Sequence, residues 1–254
     1  MKVGIAKTDI TPRWPVWQDG FAARTCAAQG LDRAVEAMAV VFDNGSTRLG
    51  LMAIDICAVD DYLLVPVREA AAELGIPAAA MMVNTSHTHA GPNASRIRGF
   101  VRQFDDRYLE ELKAKLIAVL AEAAANLEEA TLQYAATDCT MGVSRRRHVE
   151  GEEAAFEPAP DKPVDYTVPI LSVTSASGER RGVIFGYGCH PSAIATYNIG
   201  TDYPGYARDY VQTRLLGCTP IFLQGCGGDV KPLGLVREAE DIVVGKVKEM
   251  ARHI

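Results

Sequence analysis

Apolar and polar positions along the chain fall into short blocks of two periods. Alternating or fully apolar blocks predict strands at Val3–Ile10, Ala37–Asp43, Arg48–Asp55, Ala78–Val83, Leu132–Ala136, Val168–Thr174, Gly182–Tyr187 and Thr219–Gln224. Asn44-Gly45 and Ser177-Gly178 punctuate two pairs of these blocks and predict hairpins. Helical spacing predicts Asp60–Leu74, Arg107–Leu127, a helix from Asp202 to about Leu216, and a last one over Val236–Arg252. In Arg107–Leu127 the apolar residues Tyr108, Leu112, Leu116, Val119 and Leu120 share a face, and Asp105 or Asp106 can cap it. Hairpins alternating with strand–helix units predict an α/β fold: a single domain, residues 1–254, with a mixed sheet and flanking helices.

Two stretches escape this pattern. Residues 13–33 hold both tryptophans, Trp14 and Trp17, together with Asp19-Gly20 and Arg24, and are too long and aromatic for an idle connection. Either they wall a pocket, or they fold onto their own aromatic rings. Residues 144–166 combine Arg145-Arg146-Arg147-His148, acidic residues and three prolines, which mark a surface loop.

Charge and length narrow the function. A net charge of −6 over 254 residues argues against nucleic acid as a partner. No apolar run approaches the roughly 18 residues of a membrane span. The opening Met1–Ala6 lacks a signal core, and the six scattered cysteines without Cys-x-x-Cys spacing suit reduced thiols, so the expected location is cytoplasmic.

Candidate chemistry sits at three strand ends. Val83–Pro92 carries His87 and His89; Gly188–Ser192 carries His190, with Asp202 following; Gly225–Pro232 carries Asp229 in a glycine-rich turn. Strands sharing one sheet can bring such loops to one pocket. Imidazoles suit a metal, and a carboxylate such as Asp202 is a fitting third ligand. The competing reading is polar loop side chains satisfied by backbone groups, and for Asp229 a carboxylate that holds its own turn. Asp55, ending a strand, reads as a structural residue that orients the site. Cys189 and Cys226 are candidate nucleophiles or small buried thiols. No P-loop and no Gly-x-Ser-x-Gly elbow is present.

Five blocks in order resemble the neutral/alkaline, non-lysosomal ceramidase family: Gly4–Pro12, Asn84–Pro92, Gly188–Ser192, Asp202–Ala207 and Gln224–Pro232. The resemblance implies a zinc-dependent amide hydrolase fold and a Zn2+ cofactor, with His87 and His190 as metal ligands. It further implies that His89 lies beside the metal and that Arg145 faces substrate, although Ser144 stands where the family has Asn. With Asp229 these form the expected catalytic set. The family completes its zinc shell with a glutamate and a tyrosine from a C-terminal portion that the resemblance does not reach, and Lys231 replaces a family serine. Asp202, a homo-oligomer or a partner chain would then supply the missing ligand. The expected activity is hydrolysis of a carbon–nitrogen amide bond, in a small soluble amide rather than ceramide. A non-catalytic ceramidase-like binding protein and a metal-dependent esterase or lactonase are the alternatives.

Overall fold

A computed structural model describes residues 1–97, 103–148, 150–151, 153, 155–233, 245–249 and 252. Eight strands form one mixed sheet: β1 (Lys2–Asp9), β3 (Glu36–Asp43), β4 (Arg48–Ile54), β5 (Met81–Thr85), β6 (Glu128–Asp138), β8 (Thr167–Ser175), β9 (Arg180–Tyr187) and β11 (Thr219–Gln224). Their order is β11-β9-β8-β6-β1-β3-β4-β5. The helices are α1 (Asp61–Glu73), α2 (Asp106–Ala125) and α3 (Asp202–Arg214).

The sheet is two half-sheets joined at one corner. β6 pairs with β8 along nine residues, but with β1 only through Lys2–Glu129 and Val3–Glu128. Alternation along the strands shows what this permits. Val3, Ile5, Met38, Val40, Leu51 and Ala53 of the first half pack against Val173, Ile184 and Ile221 of the second. Their neighbours Ala37, Ala39, Val41, Met52 and Ile54 point the other way, onto Leu63 and Val67 of α1 and Leu112, Leu116 and Leu120 of α2. On the far side Phe185, Tyr187 and Phe222 pack against Tyr203 and Ala207 of α3. Helices, half-sheet, half-sheet and helix therefore make four layers, with β6 left exposed along most of its length.

Folding over brings the two edges of the sheet together. The Asn84 amide of β5 donates to the Gln224 carbonyl of β11 at 3.1 Å and accepts from the Gln224 N–H at 2.9 Å. One side chain thus imitates a strand where the edges meet, and both edge strands run straight into candidate site loops.

Local rules explain most boundaries. Asp60 caps α1 through the Tyr62 N–H, and Asp105 caps α2 through the Tyr108 N–H. Gly45 and Gly178 sit at φ 90° and 88° in the two hairpin turns. The expected strand at Ala78–Val83 starts later: Ala78–Ala80 is a single 3-10 turn after Pro77, and pairing with β4 begins at Met81. Three alanines give a strand little to pack. The expected C-terminal helix over 236–252 lies mostly outside the described residues; 245–249 are helical.

Four short strands have no sequence signal of their own. β2 (Gly30–Leu31) pairs with β10 (Asn198–Ile199), and β7 (Gly142–Ser144) with β12 (Val230–Pro232). The first ribbon ties the 13–33 loop to the segment after His190, and the second ties Arg145 to the Asp229 loop.

Candidate functional site

His87, His89 and His190 come together. Their ring centroids are 4.5 Å apart for His87–His190, 4.8 Å for His89–His190 and 5.2 Å for His87–His89. Backbone bonds across the loops hold this trio: His89 N–H donates to the Pro191 carbonyl at 3.1 Å, and His190 N–H to the Val230 carbonyl at 3.0 Å. His87 adopts a left-handed backbone, φ 59°, which turns the chain sharply out of β5.

The hydrogen-bond partners fix which nitrogens face inward. His87 Nδ1 lies 2.8 Å from the Cys57 carbonyl, so that nitrogen carries the proton and Nε2 keeps its lone pair. His190 Nδ1 lies 3.2 Å from the Gly227 carbonyl and 3.1 Å from an Arg145 Nη2 that can only donate. Arg145 Nη2 already has the Gly228 carbonyl at 2.9 Å. We therefore assign the His190 proton to Nδ1, which frees Nε2. His89 Nε2, 3.0 Å from His190 Nε2, then carries a proton, and its buried Nδ1 has no partner. Burial and the neighbouring His190 push His89 down to about 3, and burial and Arg145 push His190 down to about 4. Both rings are neutral at pH 7, the form that ligates metal. The Cys57 sulfur and nitrogens of His87 and His89 lie within 4.8 Å of one another, a group that can hold a metal ion.

The loop over 13–33 packs on His89. Gly20, at φ 89°, presses its Cα side onto the His89 ring, where a Cβ would stand 2.2 Å from Cγ. Phe21 meets the same ring edge-on at 4.9 Å, and Arg24 donates to the His89 carbonyl at 2.7 Å. These contacts cover His89, while no residue of 13–33 lines the cavity onto which His87 and His190 open.

The acidic candidates have other neighbours. Asp202 is fully buried, and its oxygens accept from the N–H groups of Ala193, Ile194 and Tyr203 at 2.7–2.8 Å. It holds the loop behind His190 and has no oxygen turned to the imidazoles among these contacts. Burial raises it to about 6, against the pull of those three donors. Asp229 is exposed, and its backbone carbonyl accepts from Arg145 N–H at 2.7 Å. Asp55 is buried in an ion pair with Arg208 of α3 and accepts from the Glu36 N–H at 3.0 Å. Cys189 is buried and Cys226 exposed. Sequence reasoning missed Cys57, whose position two residues past Asp55 carries no motif.

His87 and His190 open on a cavity of about 430 Å³, floored by Gln224–Gly228. Gln224, Gly225 and Cys226 also border an apolar cleft of about 510 Å³ between the half-sheets, lined by Leu51, Met82, Tyr134 and Leu223.

No protein-family model and no curated protein matches the sequence. Solved structures do match in fold. The neutral ceramidase of Pseudomonas aeruginosa superposes with a TM-score of 0.81 at 20% identity, over 99% of this chain and 43% of that one. A ceramidase complexed with C2 gives 0.82 at 20% identity, over 99% of this chain and 42% of that one. The chain has the neutral ceramidase fold and spans less than half the length of those proteins.

Proposed function

We propose that the protein is a metal-dependent hydrolase of a carbon–nitrogen amide bond, with zinc held by His87 and His190. The observation that carries this reading is the convergence of three imidazoles from the ends of β5 and β9, strands of the two different half-sheets, with two Nδ1 atoms tied to carbonyls. Such carbonyl contacts orient ligating histidines elsewhere. The fold shared with ceramidases supports the reaction class.

The donor set fits a metal: His87 Nε2 has a bare lone pair beside the Cys57 thiol, and a metal taking the His190 Nε2 lone pair would release the His89 Nε2–H that this nitrogen accepts at 3.0 Å. When bound there, zinc supplies a water of lowered pKa and polarises a carbonyl. The remaining work falls to the chain's own side chains. His89 is too weakly basic to carry a second proton near neutrality, so its role is a neutral Nε2–H donor toward the oxygen that gains charge. Arg145, 3.1 Å from His190 Nδ1, adds positive potential that keeps the ring neutral. The 13–33 loop covers the His89 side through Gly20, Phe21 and Arg24. Asp202 acts through the His190 loop as a positioning residue, and Cys57 or a partner chain completes the metal shell. Asp229 sets Arg145 through its backbone. A small amide is the substrate, acting in a cytoplasmic setting; among the described residues no helix is long and apolar enough to cross a membrane.

Elemental analysis of gently purified protein should find about one zinc per chain. His87→Ala and His190→Ala should each lose the metal and at least about 10²-fold of amidase activity, on the scale seen when electrostatic stabilisation is removed. Metal-free protein with unaltered activity in both variants would sink the reading. Metal-free, inactive protein would favour a non-catalytic binding subunit, for which the occupied oxygens of Asp202 already speak.

A further inference from the structure

Among the described residues Arg24, Arg145 and Arg146, close to the histidines, form no ion pair, in a chain whose net charge is −6. Arg145 is 8% exposed, a buried cation. Its Nε and Nη2 donate to the Gly228 carbonyl, at 3.1 and 2.9 Å, and Nη2 lies 3.1 Å from His190 Nδ1. Its Nη1 has no hydrogen bond among the described residues. Arg146 is half-buried, and its whole guanidinium is likewise uncommitted to hydrogen bonds or ion pairs there. Both guanidinium carbons sit over one ring, Phe156, at 4.6 and 5.0 Å. Arg147, next along, is different: it pairs with Glu157 at 2.9 Å on the surface. Arg24 adds a third cation whose donors go to the carbonyls of Asp19, His89 and Thr196.

Burying an arginine costs free energy unless an anion or several hydrogen bonds compensate it. Here carbonyl dipoles compensate part, and the free edges of two neighbouring forks remain. Stacking on Phe156 fixes both planes, which removes the entropy that a flexible side chain would lose on binding. Two planar forks beside a hydrolytic pocket match a carboxylate, which accepts parallel N–H bonds.

We propose that Arg145 Nη1 and Arg146 form a carboxylate-binding subsite, so that the substrate is an amide bearing a free carboxylate a few bonds from the scissile carbonyl. The reaction part rests on the hydrolase reading; the anion-binding part does not.

The test compares N-succinyl-p-nitroanilide with its uncharged counterpart, butyryl-p-nitroanilide, on the protein as purified. Binding of succinate is measured separately by calorimetry. A charge-assisted bond of this kind predicts a kcat/KM preference for the succinyl compound of about tenfold or more. Added salt should narrow that preference. Arg146→Gln should collapse both the preference and succinate binding, Arg146→Lys should restore part of each, and Arg147→Gln should change neither. Circular dichroism guards against unfolding, and the wild-type comparison stands without any variant. Equal hydrolysis of both compounds overturns the subsite and leaves the hydrolase reading intact. Succinate binding that depends on Arg146, with neither anilide cleaved, supports the subsite and removes the hydrolase reading. Neither binding nor cleavage overturns both.

Discussion

Among the described residues two non-glycine positions adopt a left-handed backbone, His87 at φ 59° and Asp202 at φ 55°. Each costs about 1–3 kcal/mol and persists only where its surroundings enforce it. At His87 the enforcement comes from the Cys57 carbonyl on one side and the Ser86 N–H bond to Ile54, 2.8 Å, on the other. At Asp202 it comes from three backbone donors gathered by one carboxylate. Asp202→Ala therefore strands buried N–H groups and should destabilise the protein by about 2–4 kcal/mol in urea denaturation, with Asp202→Asn costing less. If Asp202 instead ligated the metal, the alanine variant would lose zinc with little loss of stability. The motif around Asp202 was visible in the sequence, but residue type cannot tell a carboxylate aimed at a cation from one aimed at the backbone. That distinction depends on the loop 193–194, which pairs with nothing nearby in sequence.

At the scale of elements, one buried ion pair ties α3 to the first half-sheet. Asp55 follows β4, and Arg208, 2% exposed, reaches it from α3 while also meeting Glu36 at 3.2 Å. Removing one partner leaves a buried charge uncompensated, so Asp55→Ala or Arg208→Met alone should cost about 3–5 kcal/mol. Replacing both with apolar residues should recover much of that loss, which a double-mutant cycle measures directly. Independent, additive losses would mean the two side chains do not act as a pair. The strands and helices around this pair were legible because alternation and helical spacing are local signals: α2 and both hairpins match their expected places closely. The two-residue and three-residue ribbons were not legible, since β2, β7, β10 and β12 are too short to show a period. They exist because partners distant in sequence supply their hydrogen bonds.

At the scale of the whole molecule, the site exists because the sheet folds back on itself. Sequence reasoning expected the three loops to share one sheet, and they do, but β5 and β11 lie at its opposite ends. The corner at β6, the apolar packing between the half-sheets and the Asn84–Gln224 bonds bring those ends together, and no local pattern encodes a corner. Closing the fold has an electrostatic consequence. It drives His89 and His190 into low-dielectric surroundings beside Arg145, so both stay neutral in the folded state down to about 3 and 4. In the unfolded chain each protonates below about 6.5. Unfolding therefore takes up two protons in the window between about 4 and 6.5, while Asp202, held near 6 by burial, gives one up across most of it. The net uptake is positive, so stability of the chelator-treated protein should fall as pH drops from 6.5 toward 4. Urea midpoints at a series of pH values measure the slope. Replacing both histidines with asparagine removes the two uptakes and leaves the Asp202 contribution. That variant should therefore gain stability as pH falls from 6 toward 4. A wild-type slope that survives the double replacement would place the titrating groups elsewhere and break the link between closing the sheet and keeping these imidazoles ready for a metal.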